Sequence, residues 1–321
     1  MKQVIKITTI ISLCFILIGI GLAGSGYMLG GSMDWSYLPS SNRFFTEKNA
    51  KHKIIKEDLD AFTNIDLACD AYDIVITQGD SYSLSYPEYN NIHTTYSIEN
   101  GTLKLESKSE HTINFSLSGT SYSDYALVLT VPSKQALNEI TLKSCSGDIE
   151  LSHLNFDHIN ATANYGDIIL SHLSGNALEL TADDGDVTIS NTELTSGNFV
   201  LNYGDFDISS TSVSDFTLAN DSGDFSAEKF TSDTATLNLH YGDADAEAST
   251  IMNLTATLDS GDCDLELKGR KSDYSLDLAS DTDDIEVDDE NASGHYNYVR
   301  DTPNTIQVST HYGSISLDFT H

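Results

Sequence analysis

The sequence predicts an all-β protein: a parallel β-helix, or solenoid, of 19-residue coils, with an irregular β cap before it and a single N-terminal transmembrane helix. Three observations predict this. Glycine recurs every 19 residues, at Gly147, Gly166, Gly185, Gly204, Gly223, Gly242 and Gly261, and each is followed by aspartate, at Asp148, Asp167, Asp186, Asp205, Asp224, Asp243 and Asp262. Apolar residues stand two and four positions after every one of these glycines. At the other end of the chain, no charged residue lies between Ile7 and Met33. A fixed period of about 20 residues is the mark of a stacked repeat fold.

The coil is built from two strands. Position +2 from each glycine reads Ile149, Ile168, Val187, Phe206, Phe225, Ala244, Cys263, and position +4 reads Leu151, Leu170, Ile189, Ile208, Ala227, Ala246, Leu265. In a chain that is 39% apolar, composition alone would place all fourteen with odds of about two in a million. Position +3 is polar in all repeats but one, so this segment alternates as a strand with one buried face. A second strand precedes each glycine, with inward residues such as Ile159, Ala161 and Ala163, then Leu178, Leu180 and Ala182. Short polar clusters, Ser190-Asn191-Thr192 or Ser209-Ser210-Thr211, supply the corners. One coil cannot bury its own apolar face; stacking at about 4.8 Å per coil aligns like side chains into columns and pairs the backbone ladders. The competing fold is an antiparallel β-meander with each x-Gly-Asp as a hairpin turn. The constant coil length favours stacking, because hairpin loops tolerate insertions.

The rest of the chain divides around this array. Residues 1–33 form a cytoplasmic tip and transmembrane anchor. Ile7 to Leu29 is long enough to cross a bilayer as a helix. Lys2 and Lys6 set the N-terminus inside and everything after it outside, and Trp35 and Tyr37 sit at the interfacial level. A cleaved signal peptide ending at Gly21-Leu22-Ala23 is the alternative. Residues 34–53 form an extracellular tether with a basic patch at Lys48, Lys51 and Lys53. Residues 54–143 are β-rich without a period, include the hairpin signal Asn100-Gly101, and serve as the N-terminal cap region. Residues 144–321 form the solenoid. Its C-terminal coil is degenerate: Asp283-Asp284-Ile285-Glu286-Val287 keeps the alternation, and Tyr312-Gly313-Ser314 repeats the turn with serine for aspartate. Cys14, Cys69, Cys145 and Cys263 have no metal spacing and are expected as thiols, the last three buried.

Composition removes several functions. The net charge is −33, from 49 acids and 16 bases, which excludes nucleic acid as a partner. Arg43, Arg270 and Arg300 are the only arginines, too few for binding polyuronates. Stacked turn aspartates repel by about 0.9 kcal/mol per neighbouring pair in water. Backbone N–H groups bonded to the carboxylates offset that cost, or cations between coils do. The first route makes the Gly-Asp residues structural. The second makes the protein a weak Ca²⁺ binder, though the dense Gly-Gly-x-Gly-x-Asp pattern of Ca²⁺ solenoids is missing. No other cofactor is expected. His153 and His172 share position +6 with His158 nearby, but the column continues as Asn191, Ser210, Lys229, so no metal site is expected there.

Position −1 carries the candidate binding residues. Tyr165, Tyr203 and Tyr241 occur every second coil, between Asp184, Ser222 and Ser260, which sets them about 9.6 Å apart. Tyrosine is enriched at binding surfaces; an edge ladder that shields the turn is the structural alternative. No nucleophile elbow, P-loop or dinucleotide fingerprint is present, and no carboxylate pair can be singled out for glycoside chemistry.

The basic-apolar anchor, the strand region from Phe62 to Ile76, the hairpin Ile98-Glu99-Asn100-Gly101-Thr102-Leu103, the serial Ser-Gly-Asp and Tyr-Gly-Asp turns and the ending from Ile306 to Ile315 resemble the bacterial "putative adhesin" family. The family is a β-strand-repeat domain of unknown function behind a membrane anchor. The resemblance covers about residues 54–321. It implies a β-helix-like fold and a Gram-positive-type cell-envelope location, and it supplies no catalytic residues. Together these features give the expected function: a membrane-anchored extracellular β-solenoid acting as a non-catalytic, adhesin-like binding module for an unknown protein or a cell-wall glycan. An accessory protein of an envelope-stress signalling system is the alternative, and a carbohydrate-active enzyme on a β-helix the third reading.

Overall fold

The computed structural model of the chain describes residues 50–320 apart from 57, 91, 110–125 and 134. The anchor and most of the tether lie outside the described residues. No described helix is long and apolar enough to cross a membrane. The described residues are all-β, with one short 3-10 turn at Lys271–Asp273. The strands are β1 (Ala50–Lys56), β2 (Asn64–Cys69), β3 (Ile74–Gly79), β4 (Ser83–Tyr89), β5 (Ile92–Glu99), β6 (Thr102–Ser109), β7 (Leu127–Pro132), β8 (Ala136–Ser144), β9 (Ile149–Ser152), β10 (Asn155–Tyr165), β11 (Ile168–Ser171), β12 (Ser174–Asp184), β13 (Val187–Ser190), β14 (Glu193–Tyr203), β15 (Phe206–Ser209), β16 (Ser212–Ser222), β17 (Phe225–Glu228), β18 (Thr231–Tyr241), β19 (Ala244–Ser260), β20 (Cys263–Lys268), β21 (Ser275–Val287), β22 (Glu290–Tyr298), β23 (Thr305–Tyr312) and β24 (Ile315–Thr320).

The strands stack in parallel, as in a solenoid, and not as a meander. Each coil pairs one short and one long strand with their equivalents in the neighbouring coil. Ile149, Ile168, Val187, Phe206, Phe225, Ala244 and Cys263 therefore lie in one register column. Every member of that column is buried, as is every member of the column from Leu151 to Leu265. The long strands face them with Ile159, Leu178, Phe216, Ala235 and Leu254. One continuous core results. Its volume is balanced locally. The rings of Phe199, Phe206, Phe216, Phe225 and Phe230 pack at centroid distances of 4.8–6.1 Å, and small residues, Gly197, Ala227 and Ala235, stand among them. Interiors are close-packed, so large and small side chains must alternate between facing positions.

The ends differ from a simple sequential stack. In space β2 and β3 lie between β6/β7 on one side and β8/β9 on the other. The chain therefore lays down an inner coil, continues into the outermost one, then returns over the first. The C-terminus mirrors this. β23 and β24 are inserted between β19/β20 and β21, so the coil of Tyr312-Gly313-Ser314 is not the last in space. Antiparallel strands cover both ends: β5 on β6, β4 on β7 and β1 on β4 at one end, β22 on β21 at the other. Residues Asn100 and Gly101, both at positive φ, make the β5–β6 hairpin. The expected cap region thus contributes coils of its own as well as the covering strands.

The x-Gly-Asp corner is tight enough to dictate its sequence. From Gly166 to Gly313 the turn glycines have φ between +118° and +157°. A Cβ added at Gly204 would sit 2.2 Å from the carbonyl oxygen of Gly185, and one at Gly261 only 1.9 Å from that of Gly242. Backbone on both sides leaves nothing to yield. The opposite corner is looser. His153, His172, Asn191, Ser210, Lys229 and Ala248 all adopt left-handed φ of 49–57°, a conformation that costs a non-glycine residue about 1 kcal/mol or more.

The two corners therefore predict opposite outcomes. Gly204→Ala should destabilise the protein by roughly 3 kcal/mol or more, from overlap plus an unfavourable φ. Ala248→Gly should be neutral to stabilising by up to about 1 kcal/mol, because relief of the left-handed strain exceeds the extra chain entropy. Urea midpoints of the two variants check both; equal effects would show that the corners are not distinguished by backbone space.

Candidate binding edge

Three side-chain columns run along the x-Gly-Asp edge. The turn aspartates form the first. Each backbone N–H of the ladder donates to the carboxylate of the preceding coil: Asp148 N–H to Asp73, Asp167 to Asp148, and so on through Asp262 and Ser314, with N–O distances of 2.7–3.1 Å. The bond joins neighbouring coils; it is not closed within one turn. A hydrogen bond to a charged group is worth about 1.5–3 kcal/mol, which exceeds the repulsion between successive carboxylates in water. Tyr72-Asp73 takes the Gly-Asp place in the β2/β3 coil, where Asp73 accepts the N–H of Asp148 and Tyr72 turns its ring inward to donate to the Pro87 carbonyl at 2.6 Å. Burial pushes the Tyr72 phenol up to about 12.

The second column holds the tyrosines. Tyr165, Tyr203 and Tyr241 are 57–58% exposed, although most of the described aromatic side chains are in the core or packed against it. Register places them on alternate rungs: Tyr165, Asp184, Tyr203, Ser222, Tyr241, Ser260. The next rung is Tyr312, paired with Ser260 and equally exposed. Spacing could not reveal this fourth tyrosine, because the chain builds β20 and the β21–β22 hairpin before returning to the rung beside Ser260. Its only sequence signal is the Tyr-Gly dipeptide of the degenerate coil.

The third column is one residue further back and also alternates. Asn202 Nδ2 donates to Asp183 Oδ1 at 2.6 Å. His240 lies between two carboxylates, Nδ1 2.8 Å from Asp221 and Nε2 3.2 Å from Asp259. His311 Nδ1 lies 2.6 Å from Asp281. The two histidine rings sit against the tyrosines that follow them, His240 on Tyr241 at 4.3 Å and His311 on Tyr312 at 4.5 Å between centroids. This column escaped the sequence reading because no single residue type marks it.

The outer face of the short strands is acidic. Asp245, Glu247, Asp264, Glu266 and Asp318 line a shallow groove of about 450 Å³ that has no basic residue in its lining. Burial, followed by neighbouring carboxylates, raises the pKa of Asp207, Asp245 and Asp264 above the ordinary carboxylate value. Burial also raises Asp73 and Asp148, against the lowering effect of the N–H each accepts. No group of acidic, histidine or cysteine side chains among the described residues has the geometry to hold a metal ion. His153 and His172 stack face to face at 4.5 Å on the far corner, away from the tyrosines. Cys69 and Cys263 are buried, and burial lifts the Cys69 thiol to about 12. Cys145 corrects the expectation of a buried thiol: Ser144 takes the inward position and bonds the Gly147 carbonyl, so the next side chain faces solvent.

Fold and edge together define a closed-ended β-solenoid with one patterned rim. The chain belongs to the Toastrack DUF4097 family, whose model matches residues 62–318. Among solved structures, it is similar to a "putative lipid binding protein" from Parabacteroides distasonis ATCC 8503, with 18% identity over 85% of this chain and 98% of that one and a TM-score of 0.51. It is also similar to a "putative adhesin" from Bacteroides fragilis NCTC 9343, at 16% identity over 84% and 98% of the two chains with a TM-score of 0.34. A "putative adhesin" from P. distasonis matches at 11% identity over 84% and 98%, with a TM-score of 0.35. At 18% identity the first likeness speaks for the fold alone, and the other two, at TM-scores of 0.34 and 0.35, carry no argument. No curated protein matches the chain.

The raised carboxylates predict a pH dependence. A carboxylate whose folded pKa lies above its unfolded value holds its proton more readily when folded. Its favourable contribution is therefore present at low pH and is lost as pH rises from about 4 through the raised values. Tm should fall as pH rises above about 4, and salt at neutral pH should restore part of the loss. Asp245→Asn combined with Asp264→Asn should flatten the profile; a Tm that rises over this range in the parent protein contradicts the account.

Proposed function

We propose that the protein is a membrane-anchored, extracellular, non-catalytic binding module of the bacterial cell envelope, with the tyrosine-bearing rim as its contact surface. One observation carries the reading: four tyrosines are held in the open on alternate rungs, and the alternation continues across the break in the repeat at Ser260 and Tyr312. A ladder that served stability alone would gain more from burying those rings, since each withholds much of an aromatic side chain's apolar area from the core. The uncharged stretch from Ile7 to Met33, preceded by Lys2 and Lys6, supports the anchor and its orientation. The family resemblance agrees with a binding role, as does the name "putative lipid binding protein" carried by the P. distasonis neighbour. The turn Gly-Asp residues are scaffold in this reading, and neither Ca²⁺ nor another cofactor is needed for it.

Two measurements test the proposal. In intact cells, protease added outside should remove a C-terminal tag; protection of the tag would place the body on the wrong side of the membrane. Full-length protein in detergent should be retained on isolated envelope material, and the combined change of Tyr165, Tyr203, Tyr241 and Tyr312 to alanine should reduce retention by about tenfold or more, as expected for aromatic anchors. Equal retention would remove the rim from the proposal.

A further inference from the structure

We propose that this rim binds a basic, proline-rich segment in the polyproline II conformation, laid along the stack with one turn per pair of coils; the inference rests on the binding role assigned above. The rim is a row of ridges and notches. Tyr165, Tyr203, Tyr241 and Tyr312 are the ridges, and Asp184, Ser222 and Ser260 are the short floors between them. Two coils make a repeat of about 9.6 Å. Polyproline II has about three residues per turn at about 3.1 Å each, or about 9.3 Å. Over the three notches the mismatch adds up to about 1 Å, within side-chain adjustment.

The chemistry of each notch fits the same ligand. A proline ring between two exposed tyrosines is how aromatic-lined grooves recognise polyproline II, at low entropic cost because the ligand helix is preformed. Beside each notch lies a carboxylate of the alternating column, Asp183, Asp221 and Asp259 in turn, and on the other flank runs the ladder of turn aspartates. Each notch thus offers one aromatic slot with negative charge on both sides. A ligand that repeats with every turn of its helix can place a proline in the slot and a lysine or arginine beside it. The net charge of −33 repels anionic polymers and draws such a cation in.

The test uses full-length protein in detergent and short peptides of equal length. Four Pro-Pro-Lys triplets have the helix and the charge, four Pro-Pro-Glu triplets keep the helix and reverse the charge, and four Gly-Gly-Lys triplets keep the charge without the helix. The first should bind at least about tenfold more tightly than either of the others, and added salt should weaken it. Tyr203→Ala and Tyr241→Ala should each weaken it by about tenfold, whereas Tyr203→Phe should retain binding, since the ring and not the hydroxyl forms the slot. The far-UV spectrum and Tm of each variant establish that it is folded. Equal binding of the Gly-Gly-Lys peptide would reduce the interaction to charge attraction and overturn the proposal. Binding of a β-1,4-linked oligosaccharide that depends on the same tyrosines, with no peptide binding, would also overturn it in favour of a glycan. If the tyrosine variants lose retention on envelope material yet no peptide binds, the peptide inference fails and the binding role stands. If retention is also unchanged, both fail.

Discussion

The architecture depends on a contact between backbones: the carbonyl of one turn glycine occupies the space where the next turn would carry a Cβ. Only glycine can stand there, and only coils of constant length bring it to the same place each time. Once the corner is fixed, the register of both strands follows, and with it the identity of every column. The aliphatic interior, the aspartate ladder and the tyrosine rim are three readouts of that one constraint. This explains why the turns vary so little while the core residues range from alanine to phenylalanine.

Charge works against this stacking. A chain with a net charge of −33 stacks carboxylates at close intervals along one edge, yet each ladder aspartate accepts an N–H from the following coil. The hydrogen bonds turn a repulsive column into a seam between coils. Burial raises Asp73 and Asp148 in the ladder too, but there the accepted N–H pulls the value back; on the outer face of the short strands burial and neighbouring carboxylates hold Asp245 and Asp264 above the ordinary carboxylate value without that offset. The same side-chain type therefore stabilises on one edge and strains on the neighbouring face, depending on whether a backbone donor is in reach.

Features that follow the glycine period were legible in the sequence: the two-strand coil, the apolar columns and the alternation of Tyr165, Tyr203 and Tyr241. Features that depend on non-periodic contacts were not. Tyr312 joins the rim because its coil is inserted beside Ser260, and Ile65 pairs with Ile140 across the whole of the outermost coil; neither separation is a multiple of the period. The His240–Asp221–Asp259 cluster was missed for a different reason: its column mixes asparagine, histidine and aspartate, so it shows no pattern until register aligns it. Cys145 shows how a one-residue shift reverses the face on which a side chain lies.

The interleaved ends have a mechanical consequence. A solenoid whose outermost coil were also its terminal segment could be peeled away one hydrogen bond at a time. Here tension from the N-terminal side, once past β1 on its single partner β4, meets β2, clamped between β6 and β8, and tension from the other end meets β24, clamped between β20 and β21. Strands held by parallel neighbours on both sides must shear two ladders at once. Inward of β1, the stack therefore resists pulling from either side as a single body.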